Sequence, residues 1–141
     1  MAGSDYSLLT NKLHLKFRNP QILETAFTHR SYLNEVRGIK ESNERLEFLG
    51  DSVLSFIISS HLFKVKPKDP EGYLTNLRSY IVKTKSLAEA AEKLDLGSYL
   101  KLSKGEEISG GRGNSQLLAN TFEALLGAVY VDLGLDAATQ V

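Results

Sequence analysis

Glu44, Glu47 and Asp51 stand at i, i+3 and i+7 in the stretch Asn43-Glu44-Arg45-Leu46-Glu47-Phe48-Leu49-Gly50-Asp51-Ser52-Val53-Leu54. At about 100° per residue of helix they fall within a sector of roughly 60°. Leu46, Leu49, Val53 and Ile57 form a separate apolar stripe suited to burial. Three acids on one face of a largely buried helix repel one another and resist desolvation. A divalent metal ion is the natural counter-charge for such a face. A second polar pair, Asn120 and Glu123, is spaced i, i+3 on an otherwise apolar segment, and Ala124 and Gly127 share its face. Small residues let another backbone approach closely, so this face is expected to pack against the one carrying Glu47 and Asp51. Four oxygen-bearing side chains with no histidine or cysteine favour Mg2+, with Mn2+ as substitute, over Zn2+.

Each of these residues also has a plainer reading. Glu47 and Asp51 would be a solvated acidic face if apolar residues did not flank them on both sides. Glu123 could form an interhelix salt bridge to Arg45 or Arg78. Glu44 could support the site indirectly, contact a ligand, or simply favour a helix N-terminus. Phe48 points about 100° from Glu47 and off the main apolar stripe, which suggests a second apolar contact; its alternative is the core of its own chain. His29 and Arg30 could meet phosphate, or His29 could be a hydrogen-bonded structural residue. Gly110-Gly111-Arg112-Gly113 is weak evidence for a phosphate loop, and Lys101, Lys104 and Arg112 near it are equally compatible with a solvated loop.

The elements that must position these groups are predicted to be helical nearly throughout, with no alternating strand pattern. Leu8 to Leu15 is a short apolar-periodic piece. Asn19-Pro20 reads as N-cap and first helical residue of a segment through Ile22, Leu23 and Phe27, closed by Thr28-His29-Arg30-Ser31. Ser42 is expected to cap the acidic helix. Asp69-Pro70 is expected to start a helix whose buried stripe is Leu74, Leu77, Ile81 and Val82. Ser86 with Glu89 reads as a capping box for a helix ending at Gly97. Gly105 to Gly113 is expected to be a loop, and Gln116 to Val131 the last long helix, ended by Leu133-Gly134. The expected architecture is all-α, one domain over residues 1–141.

Composition narrows the class. An apolar share of 42% with 24% charged residues is ordinary for a soluble globular chain. The absence of cysteine rules out a disulfide framework and a thiolate metal site. No uninterrupted apolar run approaches ~18 residues and the first residues lack a basic region, so neither a membrane nor a secreted protein is expected; a cytoplasmic one is. With 17 basic and 17 acidic residues the net charge is zero, which does not suit holding nucleic acid by bulk electrostatics.

The acidic stretch resembles the signature of ribonuclease III, the double-stranded-RNA endonuclease. The likeness extends through Thr28-His29-Arg30-Ser31-Tyr32, Gly105-Glu106-Glu107 and Leu118-Ala119-Asn120-Thr121-Phe122-Glu123-Ala124-Leu125-Leu126-Gly127. It implies a metal-dependent nuclease in which Glu47, Asp51, Asn120 and Glu123 match the metal-binding set, with Asp51 and Glu123 catalytic. Metal-activated water would attack a phosphodiester, giving 5′-phosphate and 3′-hydroxyl ends. It also implies a homodimer anchored by the aromatic at Phe48, whose two sites cut opposite strands and leave short 3′ overhangs. Glu44, His29, Arg30 and Arg112 would support the site or contact RNA, and the role would lie in processing ribosomal and messenger RNA. The resemblance places a separate RNA-binding domain after the nuclease domain. The chain ends at Val141, too early to hold one: either the natural protein lacks it or it has been removed, and removal is the expectation. The departure is Asn120, where the family pattern has aspartate: the chain is a working variant, an engineered substrate trap, or a relative that only binds double-stranded RNA or a ribonucleoprotein.

Overall fold

The computed structural model describes residues 5–39 and 41–141 and is all-α, with no strand among the described residues. Among the described residues eight α-helices follow one another: α1 (Ser7–Leu13), α2 (Pro20–Ala26), α3 (Glu44–Val65), α4 (Glu71–Ile81), α5 (Thr84–Lys93), α6 (Lys104–Ile108), α7 (Ser115–Leu133) and α8 (Leu135–Gln140). Short 3-10 turns occupy Arg30–Asn34, Leu96–Tyr99 and Gly111–Gly113.

The centre is α7, almost wholly buried from Leu118 to Val129 and enclosed by α3, α5, α2 and α8. Its burial explains its composition: Leu, Ala, Phe and Val on every side, with Thr121 returning its hydroxyl to the Leu117 carbonyl at 2.7 Å. Leu9, Leu23, Phe27, Leu96, Leu125 and Val129 complete the main core. A cluster of Tyr6, Phe27 and Tyr99, with ring centroids 5.4–5.5 Å apart, ties α1 and α2 to the turn at Leu96–Tyr99.

Local signals account for most boundaries. Asn19 Oδ1 accepts from the Gln21 amide with Pro20 at the first helical position, as the dipeptide predicts. Asn114 caps α7 through Leu117 N, and Gly134 ends it with φ +95°. The backbone amides of Arg18 and Asn19 both donate to Asp132 Oδ2, which fixes the start of α2 against the end of α7.

Several expectations are corrected. The stretch Gly105–Gly113 is not a plain loop, since Ser103 Oγ accepts from Glu106 N and nucleates α6, with two acids in its first turn. Ser86 lies inside α5, which starts at Thr84 and ends at Lys93 rather than Gly97. Pro70, not Asp69, is the cap residue of α4, and α4 has no fully buried side chain because it rests at the edge of the fold against α3. The last long helix does end at Leu133 with Gly134 as its cap, as expected, and a short α8 follows it, folding back on α7 and burying Ala138. By length and composition α3 is apolar enough to cross a membrane. Its apolar residues are divided between a stripe packed on α7 and an outward face carrying Phe48, Phe56 and Phe63.

Candidate active site

Glycines set the geometry. A Cβ placed on Gly50 would lie 1.7 Å from the Glu123 carbonyl oxygen, and one placed on Gly127 would lie 2.3 Å from the Leu46 carbonyl oxygen. The two helices therefore touch backbone to backbone, and only glycine fits at either point. Ala26, Ala124 and Ala128 extend this seam of small residues, bordered by Ile22 and Leu46. Gly50 lies between Glu47 and Asp51 on α3, so the contact sets Glu123 of α7 against both acids. The close approach expected from Ala124 and Gly127 is realised.

The acids feel one another. The Glu123 carboxyl hydrogen-bonds with Asp51, and burial, that bond and the charges of Asp51 and Glu47 together push it up to about 8. Burial also raises Glu47, with Glu44 and Asp51 adding repulsion. At pH 7 Glu123 is therefore mostly protonated, the usual response of crowded carboxylates with no cation between them. Arg45 and Arg78 do not relieve the crowding: Arg45 lies 3.7 Å from Glu41, and Arg78 donates to Ser59 Oγ at 2.8 Å. The salt-bridge alternative for Glu123 has no such partner here.

Beside these acids opens a cavity of about 470 Å³, lined among others by His29, Arg30, Glu44, Glu47, Glu106 and Asn120. His29 caps the turn at Arg30–Asn34: its Nδ1 accepts from Ser31 N at 3.1 Å and lies 2.8 Å from Ser31 Oγ, which in turn accepts from Ser103 N. With Nδ1 an acceptor, the neutral ring carries its proton on Nε2. Burial lowers the His29 pKa, opposed by Glu106 and Glu44 and assisted by Arg30, so the ring is neutral at pH 7. His29 is thus a hydrogen-bonded residue of the turn, as its structural reading has it, and it also lines the cavity. Glu44 accepts from the hydroxyl of Ser42, whose oxygen receives Glu44 N, at the helix N-terminus. Arg112 is otherwise engaged. Its guanidinium grips Glu107 and donates to the Gly97 and Leu100 carbonyls, which makes it a tie between α6 and the turn at Leu96–Tyr99.

As the side chains lie, no three His, Cys, Asp or Glu groups among the described residues surround one point at ion-holding separations. The donor chemistry nonetheless fits a hard divalent cation. The residues offer only oxygen, their backbones are locked together, and the proton shared by Glu123 and Asp51 is what a cation would displace. Asn120 shares the cavity with Glu47, and its Oδ1 accepts from Gln116 Nε2 at 2.8 Å.

Three contributors escaped the sequence reading. Gly50 was legible as the small residue between Glu47 and Asp51. Gln116 was legible at i−4 of Asn120. Asn43 carried no local signal, because its partners are distant: its amide donates to the Thr28 carbonyl at 2.8 Å and its Nδ2 to the Ala26 carbonyl at 3.2 Å, in a buried setting. These bonds pin the start of α3 to the end of α2 and so to His29. Asn43→Ala is expected to destabilise the fold by about 1–3 kcal/mol, because a buried carbonyl loses its donor. A urea midpoint unchanged from the parent would show that the clamp carries no weight.

Comparison with known proteins sets this geometry in context. The sequence model described as ribonuclease-III-like matches residues 19–141. Ribonuclease 3 of Protochlamydia amoebophila is 51% identical over 127 residues, which cover 90% of this chain and 52% of that protein. Ribonuclease 3 of Caldanaerobacter subterraneus subsp. tengcongensis is 50% identical over 133 residues, covering 94% and 58%. The chain thus spans only a little over half the length of these relatives. Among solved structures, the nuclease domain of ribonuclease III from Campylobacter jejuni superposes with a TM-score of 0.89 at 36% identity, covering 96% of this chain and 91% of that one. It is described as flexible in a region involved in dimer formation. Dicer from Pichia stipitis is similar at a TM-score of 0.61 and 30% identity, over 86% of this chain and 50% of that one.

Proposed function

The chain belongs to the ribonuclease III family, and from that premise we propose that residues 1–141 are one endonuclease domain that hydrolyses double-stranded RNA with Mg2+ or Mn2+, working as a homodimer. The observation that carries the reading is the seam at Gly50 and Gly127, which sets Glu123 against Asp51 and Glu47, with Glu47 and Asn120 lining the cavity beside them. Glu47, Asp51, Asn120 and Glu123 would hold the ion, which when bound supplies an activated water and offsets phosphate charge. The chain's own part is orientation. Asp51 and Glu123 would orient the attacking water once the ion is held, and the His29 Nε2–H and Arg30 would face the sugar–phosphate backbone. The water oxygen bonds to phosphorus and gives up a proton to a carboxylate of the site, the P–O3′ bond breaks, the 3′ oxygen takes a proton from solvent, and the 5′ side keeps the phosphate. A-form RNA is read by shape and 2′-hydroxyls, not by base sequence.

The dimer reading rests on α3. Phe48 is 79% exposed, so the alternative that it fills its own core does not hold. A cavity of about 730 Å³, lined among others by Ile22, Thr25, Leu46, Leu49 and Val131, lies beside it. A two-fold axis here would seat each Phe48 in the partner's cavity, and two sites so related cut opposite strands and leave 3′ overhangs. Phe48→Ala is expected to give a monomer by light scattering, since a buried aromatic anchor is typically worth about 2 kcal/mol or more. A variant that remains dimeric would remove Phe48 from the interface.

The reading extends to processing of ribosomal and messenger RNA in the cytoplasm. It is tested by cleavage of a labelled RNA duplex at low salt, with Mg2+ titrated and an EDTA control. Metal-dependent products with 5′-phosphates are expected. Binding without cleavage at any Mg2+ or Mn2+ concentration would instead favour the second reading, a relative that only binds RNA, for which the neutral amide at Asn120 is the specific observation.

A further inference from the structure

Asparagine at a cation site has a difficulty that aspartate lacks. The two oxygens of a carboxylate are equivalent, whereas an amide presents oxygen at one end and an N–H2 donor at the other. Only the oxygen end can face a cation. Something must therefore choose which way the Asn120 amide points.

Gln116 is placed to choose. It sits on the first turn of α7, one turn before Asn120, and lines the same cavity as Glu47 and Asn120. Its Nε2–H donates to Asn120 Oδ1 at 2.8 Å. Turning the Asn120 amide over by itself would set one N–H2 group against another and lose this bond, so the two amides can only turn together. The Asn120 oxygen has two lone pairs, and Gln116 engages one, which leaves the other for a cation. We propose that Gln116 is a positioning residue that fixes the amide orientation of Asn120, so that a neutral side chain serves where a carboxylate would serve unaided. The inference rests on the metal-binding reading above and concerns a residue one step removed from the ion, the kind of contact that orients a ligand.

The test is Mn2+ binding to the whole chain, read from the electron paramagnetic resonance signal of the free ion, with Gln116→Ala and Gln116→Glu made beside Asn120 and Gln116→Ala also beside Asn120→Asp. Gln116→Ala is expected to weaken Mn2+ binding about 10-fold while leaving the metal-free melting temperature unchanged, because Gln116 is exposed. Gln116→Glu offers an acceptor and selects the wrong end of the amide, so it weakens binding further in spite of its added negative charge. With Asn120→Asp in place, Gln116→Ala has no effect, since either oxygen serves. Unchanged binding in Gln116→Ala, or the same loss in both backgrounds, overturns the inference and leaves the metal site standing. An unsubstituted chain that binds no Mn2+ overturns the metal reading and this inference with it.

Discussion

Glu123→Gln is expected to abolish RNA cleavage while making the metal-free protein more stable near pH 7. The two effects have one cause. In the folded chain the Glu123 carboxyl is raised from 4.5 to about 8 by burial, by its hydrogen bond with Asp51 and by the charges of Asp51 and Glu47. The unfolded chain gives up that proton at lower pH, so across the window from 4.5 to about 8 the folded state binds the proton more strongly. Stability from this group is fully present below 4.5 and is lost as pH rises through about 8. Glutamine does not titrate and keeps its volume, so the variant escapes that loss. The group is half-exposed, and with allowance for solvent screening the gain at pH 7 is about 1–2 kcal/mol, read as a higher melting temperature. Added Mg2+ should reverse the order, stabilising the parent and not the variant. Cleavage should fall by more than about 10²-fold, beyond the effect of removing an outer contact. A variant that cleaves normally would remove Glu123 from the chemistry. One that is less stable at pH 7 without metal would show that its neighbours do not repel it.

Gly50→Ala is the second large effect, on the fold rather than the reaction. The new methyl group would meet the Glu123 carbonyl oxygen at 1.7 Å. That oxygen belongs to the backbone of the most buried helix, so no side chain can swing aside to relieve the clash. Overpacking costs about 1–3 kcal/mol and more where the neighbour is rigid, which outweighs the roughly 1 kcal/mol that alanine gains over glycine in a helix. We expect a net loss above about 3 kcal/mol, or no folded protein, in chemical denaturation. Gly72→Ala is the control: Gly72 lies in α4 with nothing within 4 Å of the added carbon, so it should be neutral or stabilising by up to about 1 kcal/mol. If both substitutions behave alike, the α3–α7 seam is softer than its geometry implies.

Both expectations turn on groups that the sequence half displays. The spacing of Glu44, Glu47 and Asp51 names one helical face, and Asn120 with Glu123 names another, because helical periodicity is a local property that one chain segment carries by itself. The cap at Asn19-Pro20 and the apolar run of α7 are legible for the same reason. Boundaries were harder. The expectation of a loop over Gly105–Gly113 let glycine content outweigh the cap at Ser103, and the predicted capping box at Ser86 missed that α5 was already under way at Thr84.

What the sequence by itself determined is therefore the all-α class, the two acidic faces, the family likeness and the hard-oxygen character of any metal they hold. Tertiary structure alone decided how those faces meet. The 1.7 Å and 2.3 Å clashes that any side chain would create at Gly50 and Gly127, the clamp of Asn43 on the end of α2 and the engagement of Arg112 by Glu107 and two loop carbonyls all join residues distant in the chain or on separate elements. Their partners are chosen by packing, and no periodicity within a single segment reports on them. The rise of Glu123 to about 8 belongs with these: a carboxyl's proton affinity depends on what surrounds it, and its surroundings exist only once α3 and α7 have closed.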